Sequence, residues 1–148
     1  MSWDVNDREL ESVNRQDAPK RYGYFIKRAA DWEELWGVRL AKGKGWLLLA
    51  DDEGGESVPV WAHCRFVESY LQAHGGGGTP TAIKLQEWLE WLDELQEDGR
   101  MVAVMPTPGG QSVVVSADDH RNHLLYEMDG LVDPEALGDL LEISRHKR

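Results

Sequence analysis

The chain has 148 residues, with 27 acidic against 16 basic side chains and a formal net charge of −11; 41% of it is hydrophobic and 29% charged. That size and balance suit one compact domain with a single core and exclude the disordered acidic class. A negative field repels phosphate backbones, which argues against nucleic acid as a partner, and apolar runs such as Trp46 to Ala50 fall far short of the ~20 residues that cross a bilayer.

The N-terminal stretch is polar throughout, with no apolar leader. Together with one lone cysteine, Cys64, this leads us to expect a cytoplasmic protein.

Residues 1–16 lack apolar periodicity and read as a flexible arm, leaving 17–148 as the folded domain. Asp17 followed by Pro19 opens a helix, and Tyr22, Phe25, Ile26 and Ala29 supply its apolar stripe. Asp31 and Glu34 have the spacing of a capping box, which predicts a second short helix closed by Gly37. The period then shortens. Trp46 to Ala50 and Ser57 to Trp61 flank an acidic, glycine-containing turn and read as a hairpin, with Trp46 expected opposite Trp61. Pro59 places its strand at an edge or a bulge.

Phe66, Val67, Tyr70 and Leu71 mark a helix that Gly75 to Gly78 must end, the four glycines reading as a flexible joint. Ala82 to Leu85 predicts a brief strand before the clearest helix, Gln86 to Asp98. Trp88, Leu89, Trp91, Leu92 and Leu95 occupy one arc of that helix, and Glu87, Glu90, Asp93, Glu94, Glu97 and Asp98 the other. A second hairpin follows, Met101 to Met105 and Ser112 to Ser116 around Pro106 to Gly110. Ser116 with Asp119 opens a helix to about Met128, and Asp133-Pro134-Glu135 opens a last one with Leu137, Leu140 and Leu141 inward. The sum is a single α+β domain, with a largely antiparallel sheet built from two hairpins and four to six helices around it.

Three stretches carry a family likeness: Tyr22 to Gly37 (YGYFIKRAADWEELWG), Gly45 to His63 (GWLLLADDEGGESVPVWAH) and Asp98 to Ser116 (DGRMVAVMPTPGGQSVVVS). Together they resemble the small bacterial proteins grouped as domain of unknown function family 2750. The resemblance spans a core of 19–125 and leaves 126–148 as a C-terminal helical extension. It implies a bacterial cytoplasmic α+β protein and carries no catalytic residues.

The residue types that could carry chemistry are few. His120, His123 and Glu127 share one helix flank at i, i+3 and i+4 spacings, the arrangement in which imidazole and carboxylate can share a divalent metal. A buried polar flank accounts for the same spacing, since zinc sites usually draw ligands from several elements. His63-Cys64 invites a nucleophile reading, but adjacent helical residues diverge by about 100°, and a small buried thiol explains it better. Gly75 to Gly78 lacks the lysine of a phosphate loop.

Seven tryptophans stand against two phenylalanines. Core packing explains most of them, yet Trp88 and Trp91 beside Glu87, Glu90, Glu94 and Glu97 would form an acidic, aromatic binding surface if exposed. The first helix, with Lys20, Arg21, Lys27 and Arg28, is locally basic, which permits self-association as well as a foreign basic protein partner. The functional expectation is a non-enzymatic protein-binding module without a cofactor, immunity-like or regulatory in character. Its rival is a small metal-dependent hydrolase using His120, His123 and Glu127.

Overall fold

A computed structural model describes residues 4–41, 45–50, 54–75 and 77–129. These residues form five helices, α1 (Asp7–Arg15), α2 (Ala18–Trp32), α3 (Cys64–His74), α4 (Leu85–Asp98) and α5 (Ala117–Met128), and six strands. These are β1 (Glu34–Arg39), β2 (Leu49–Ala50), β3 (Glu56–Val60), β4 (Thr79–Lys84), β5 (Met101–Val104) and β6 (Val113–Ser116). The domain is α+β, as its hydrophobic patterning predicts. The last expected helix, from Asp133, lies outside the described residues.

Polar side chains start α2 and α5 where the sequence placed them. Asp17 accepts the Lys20 N–H at 3.1 Å, and Ser116 accepts that of Asp119 at 3.2 Å; each satisfies a donor that a helix start leaves without an intrahelical partner. The Tyr22, Phe25, Ile26 and Ala29 stripe is fully buried and forms the floor of the core. No described helix is long and apolar enough to cross a membrane.

Several expectations are corrected. The segment expected to be a flexible arm contains α1: Asn6 caps it through the Glu9 N–H at 2.8 Å, and Val5 and Val13 are buried in the core. Arg65 of α3 holds the start of this segment, donating to the Val5 carbonyl and to Asp7. Two isolated valines give too sparse a pattern to reveal a helix that is fixed by long-range contacts.

The short helix expected after Asp31 is instead β1. Glu33 leaves the α2 helix in the left-handed region (φ 53°), and Leu35 and Val38 then bury against the core on an extended backbone. β1 pairs antiparallel with β4, from Glu34 opposite Lys84 to Arg39 opposite Thr79. Gly37 sits where Trp46 and the Ile83 methyl would come within 3.2 Å of any Cβ, so its role is close approach rather than helix closure.

A second, four-stranded sheet runs β2-β3-β5-β6. Both expected hairpins form, with Leu49 opposite Ser57 and Val102 opposite Val115. The hairpins are joined by parallel pairing of β3 with β5, Val58 opposite Val102. A parallel pair requires a crossover, supplied here by α3, β4 and α4. Trp61 faces Trp36 rather than Trp46, the two exchanging reciprocal 2.8 Å backbone hydrogen bonds, while Trp46 bridges to Arg39. β3 is an interior strand, not the edge or bulge that Pro59 suggested: by strand alternation Pro59 turns the side without an amide toward the gap between the Leu49 and Trp36 pairings, so it interrupts no ladder bond.

Candidate functional site

Where α2, α4 and α5 meet, four buried side chains form a connected polar line. The Trp88 indole N–H donates to His120 Nε2 at 3.0 Å, His120 Nδ1 lies 3.3 Å from the Tyr22 hydroxyl, and that hydroxyl lies 2.6 Å from His123 Nδ1. Indole can only donate, which sets every proton in the row. His120 accepts at Nε2 and carries its proton on Nδ1; Tyr22 receives that N–H and donates its O–H to His123 Nδ1. The proton of His123 then sits on Nε2, an atom that is buried and has no hydrogen-bond partner.

Burial keeps both imidazoles neutral. It lowers the His120 pKa to about 3, with the neighbouring His123 adding to the effect, and lowers that of His123 to about 4. Burial likewise raises the Tyr22 phenol well above its ordinary range. Glu127 is set apart from the pair: burial raises its carboxyl pKa, with Asp31 adding to the effect and Lys27 opposing it. Both nitrogens of His120 and the Nδ1 of His123 are engaged by protein partners. Among the described residues no three His, Cys, Asp or Glu side chains are grouped to hold a metal ion.

His63 and Cys64 do approach each other, Sγ to Nδ1 at 3.7 Å, but His63 Nδ1 accepts the Arg65 N–H at 3.1 Å and so serves as the cap of α3. Burial raises the Cys64 pKa and Glu68 raises it further, the reverse of what an activated thiol needs.

Trp88 is fully buried by its place beneath α5 and is no surface anchor, contrary to its expected role. Trp91 is only partly buried and packs against the edge of the core. Its ring meets Trp88 edge-on at 5.2 Å and Trp46 at 5.5 Å, and the Arg39 guanidinium lies 5.0 Å over the Trp46 ring. Glu87, Glu90, Glu94 and Glu97 are all exposed. No described cation pairs with any of these four, whereas Asp93 and Asp98 on the same helix meet Arg121 and Arg100. At helical spacing Trp91 falls between Glu87 and Glu94. The surface that emerges is therefore Trp91 and Trp46 beside Glu87 and Glu94, with Glu90 and Glu97 farther round the helix. Sequence reasoning missed Trp46 and Arg39 because β1 was not foreseen.

The basic face expected on α2 is largely dismantled. Arg21 is buried, donating to the carbonyls of Gln16, Met105 (3.2 Å) and Gln111 (2.8 Å), and Arg28 lies 3.9 Å from Glu9. Burial lowers the Arg21 pKa, with Asp17 opposing. This guanidinium fastens the β5–β6 connection, in which Met105 holds a left-handed backbone (φ 54°) and the Trp61 indole donates to the Pro106 carbonyl at 2.9 Å. Beside that connection, a cleft of about 540 Å³ opens between Leu10, Asn14 and Arg15 of α1, Ser69 of α3, and Thr107 and Gln111 of the connection.

A family model described as protein of unknown function (DUF2750) matches residues 22–124. No curated protein and no solved structure matches the chain.

Proposed function

The chain belongs to the DUF2750 family of proteins of unknown function, and from that premise we propose that it is a non-enzymatic module that binds a protein partner through the outer face of α4. One observation carries the reading. Glu87, Glu90, Glu94 and Glu97 stand exposed, none paired with a described cation, on the helix that carries the partly buried Trp91, whose ring meets Trp46. Four carboxylates that no described cation pairs attract a basic surface and orient it during approach. A rigid indole pair, one ring backed by Arg39, gives the contact an apolar centre. In this reading the partner is a basic protein surface, and immunity-like inhibition or regulation of that partner is the biological form.

Two buried imidazoles and the partly buried Cys64 thiol support the same direction. His120 and His123 are neutral, enclosed and engaged with Tyr22 and Trp88, and the Cys64 thiol is pushed toward its protonated form. None is placed as a nucleophile or general base facing solvent.

The test is affinity capture from the native cell lysate at low salt, comparing the wild type with Glu90→Lys/Glu94→Lys and with Trp91→Ala. The reading expects a basic protein that is retained by the wild type, released as salt is raised, and lost from both variants. A partner captured equally well by the charge-reversed chain overturns it.

A further inference from the structure

We propose that the free edge of β6 pairs antiparallel with the β6 edge of a second copy of this chain, joining two four-stranded sheets across a two-fold axis. β6 ends the sheet order β2-β3-β5-β6, and among the described residues no strand lies beyond it.

Which groups face that edge follows from the ladder. Met105 N–H donates to the Val60 carbonyl at 2.8 Å, so Met101, Ala103 and Met105 turn their backbone groups toward β3. Val102 and Val104 therefore turn theirs toward β6 and bond Val115 and Val113. Val114 is left with its N–H and C=O pointing away from the sheet, and its side chain is 54% exposed.

Other strand ends in the fold are blunted in the usual ways. β2 is two residues long, and β4 carries Pro80 and ends on Lys84. β6 has neither device. No charged residue lies between Arg100 and Asp118, and three consecutive valines combine high strand propensity with an exposed side chain.

The sequence of the edge points to self-pairing over a foreign strand. Ser112-Val113-Val114-Val115-Ser116 reads the same in both directions, so a two-fold axis, across which residue i meets j and j meets i, brings like residues opposite one another. Centring the pair on Val114 puts each Val114 opposite its copy as a hydrogen-bonded pair. Val113 then faces Val115, and Ser112 faces Ser116, matching valine with valine and hydroxyl with hydroxyl. No like charges are brought opposite one another within the paired stretch. Each chain carries a net charge of −11, so the copies repel at long range. Added salt screens that repulsion and strengthens the dimer, opposite in sign to its effect on the α4 complex.

The experiment is sedimentation of the full chain over a concentration series at low and high salt, with hydrogen exchange at the Val114 amide. The expected mass rises from 16.8 kDa toward twice that value with concentration, more readily in high salt, and exchange at Val114 slows in parallel. Val114→Lys places two cations on the axis at an exposed position, so it should remain monomeric with an unchanged melting temperature. A wild-type chain that stays monomeric throughout overturns the proposal. So does a dimer that persists in Val114→Lys, or one whose formation leaves Val114 exchange untouched.

Discussion

Trp88 and His120 form a direct side-chain bond inside the core, the indole N–H meeting imidazole Nε2 at 3.0 Å where α4 crosses α5. Because the donor is unambiguous, this one contact fixes the tautomer of His120 and, through Tyr22, that of His123. Trp88→Phe removes the donor while keeping an aromatic ring. The buried Nε2 lone pair is then unpaired, at a cost of about 1–3 kcal/mol in addition to the lost packing. Urea denaturation measures that loss, and nitrogen NMR shifts should show His120 no longer held in one tautomer.

Acid should destabilise the fold over a defined window. An unfolded histidine titrates near pH 6.5, whereas His120 and His123 take up protons in the native state only at about 3 and about 4. Above pH 6.5 both states are neutral, so these groups give no slope. Below it the unfolded chain binds protons that the native chain does not, and stability falls by up to about 1.4 kcal/mol per pH unit for each histidine. The fall continues until the pH nears the native values. Urea midpoints at pH 7.5 and pH 5 should differ accordingly, and equal midpoints would contradict the neutral, buried pair.

Arg21→Met should unfasten the β5–β6 connection. It strips the guanidinium donors from the carbonyls of Gln16, Met105 and Gln111; the Gln111 carbonyl keeps the Thr107 N–H, and the buried Met105 acceptor left unpaired costs about 1–3 kcal/mol. Arg21→Lys should fare little better, since one ammonium cannot span three acceptors set for a planar fork. Chemical denaturation of both variants checks this. A lysine variant as stable as the wild type would show that the fork geometry is not what holds the turn.

Two neighbouring glycines should respond differently to alanine. A Cβ at Gly78 would overlap Val38 Cγ1, whereas at Gly77 it meets nothing within 4 Å. Gly78→Ala should therefore cost about 1–3 kcal/mol by overpacking, and Gly77→Ala should be close to neutral. Thermal melts of the pair distinguish a packed crossing at Gly78 from the freely moving joint that the glycine run suggests.

Much of this was legible because the signals were local. The Tyr22 to Ala29 stripe, the Asp17 and Ser116 caps, the α4 arc and the Gly99 stop each lie within a few residues and appear where expected. Residues 31–39 misled because Asp31 and Glu34 have capping spacing, and the competing term, pairing with β4, lies far along the chain. α1 was hidden for the same reason, its anchors being Arg65 and the core.

The candidate surface was legible in its charges and not in its aromatic part. Helical periodicity put the glutamates outside correctly, but Trp88 and Trp91 stand on one apolar arc, and only the position of α5 decides which is covered. His120, His123 and Glu127 share spacing on a helix flank, yet Tyr22, from another element, determines what the imidazoles face.

The parallel union of β3 with β5 bears on how the chain is made. During synthesis the Val58 and Val60 row emerges early, while its partners Val102 and Val104 follow only after α3, β4 and α4. Until then the centre of the sheet is open on a growing chain, and closing it means ordering a long intervening stretch at once. The ribosome therefore releases β3 as an apolar strand waiting for its neighbour, and any device that shields it in that interval acts before the native surfaces exist.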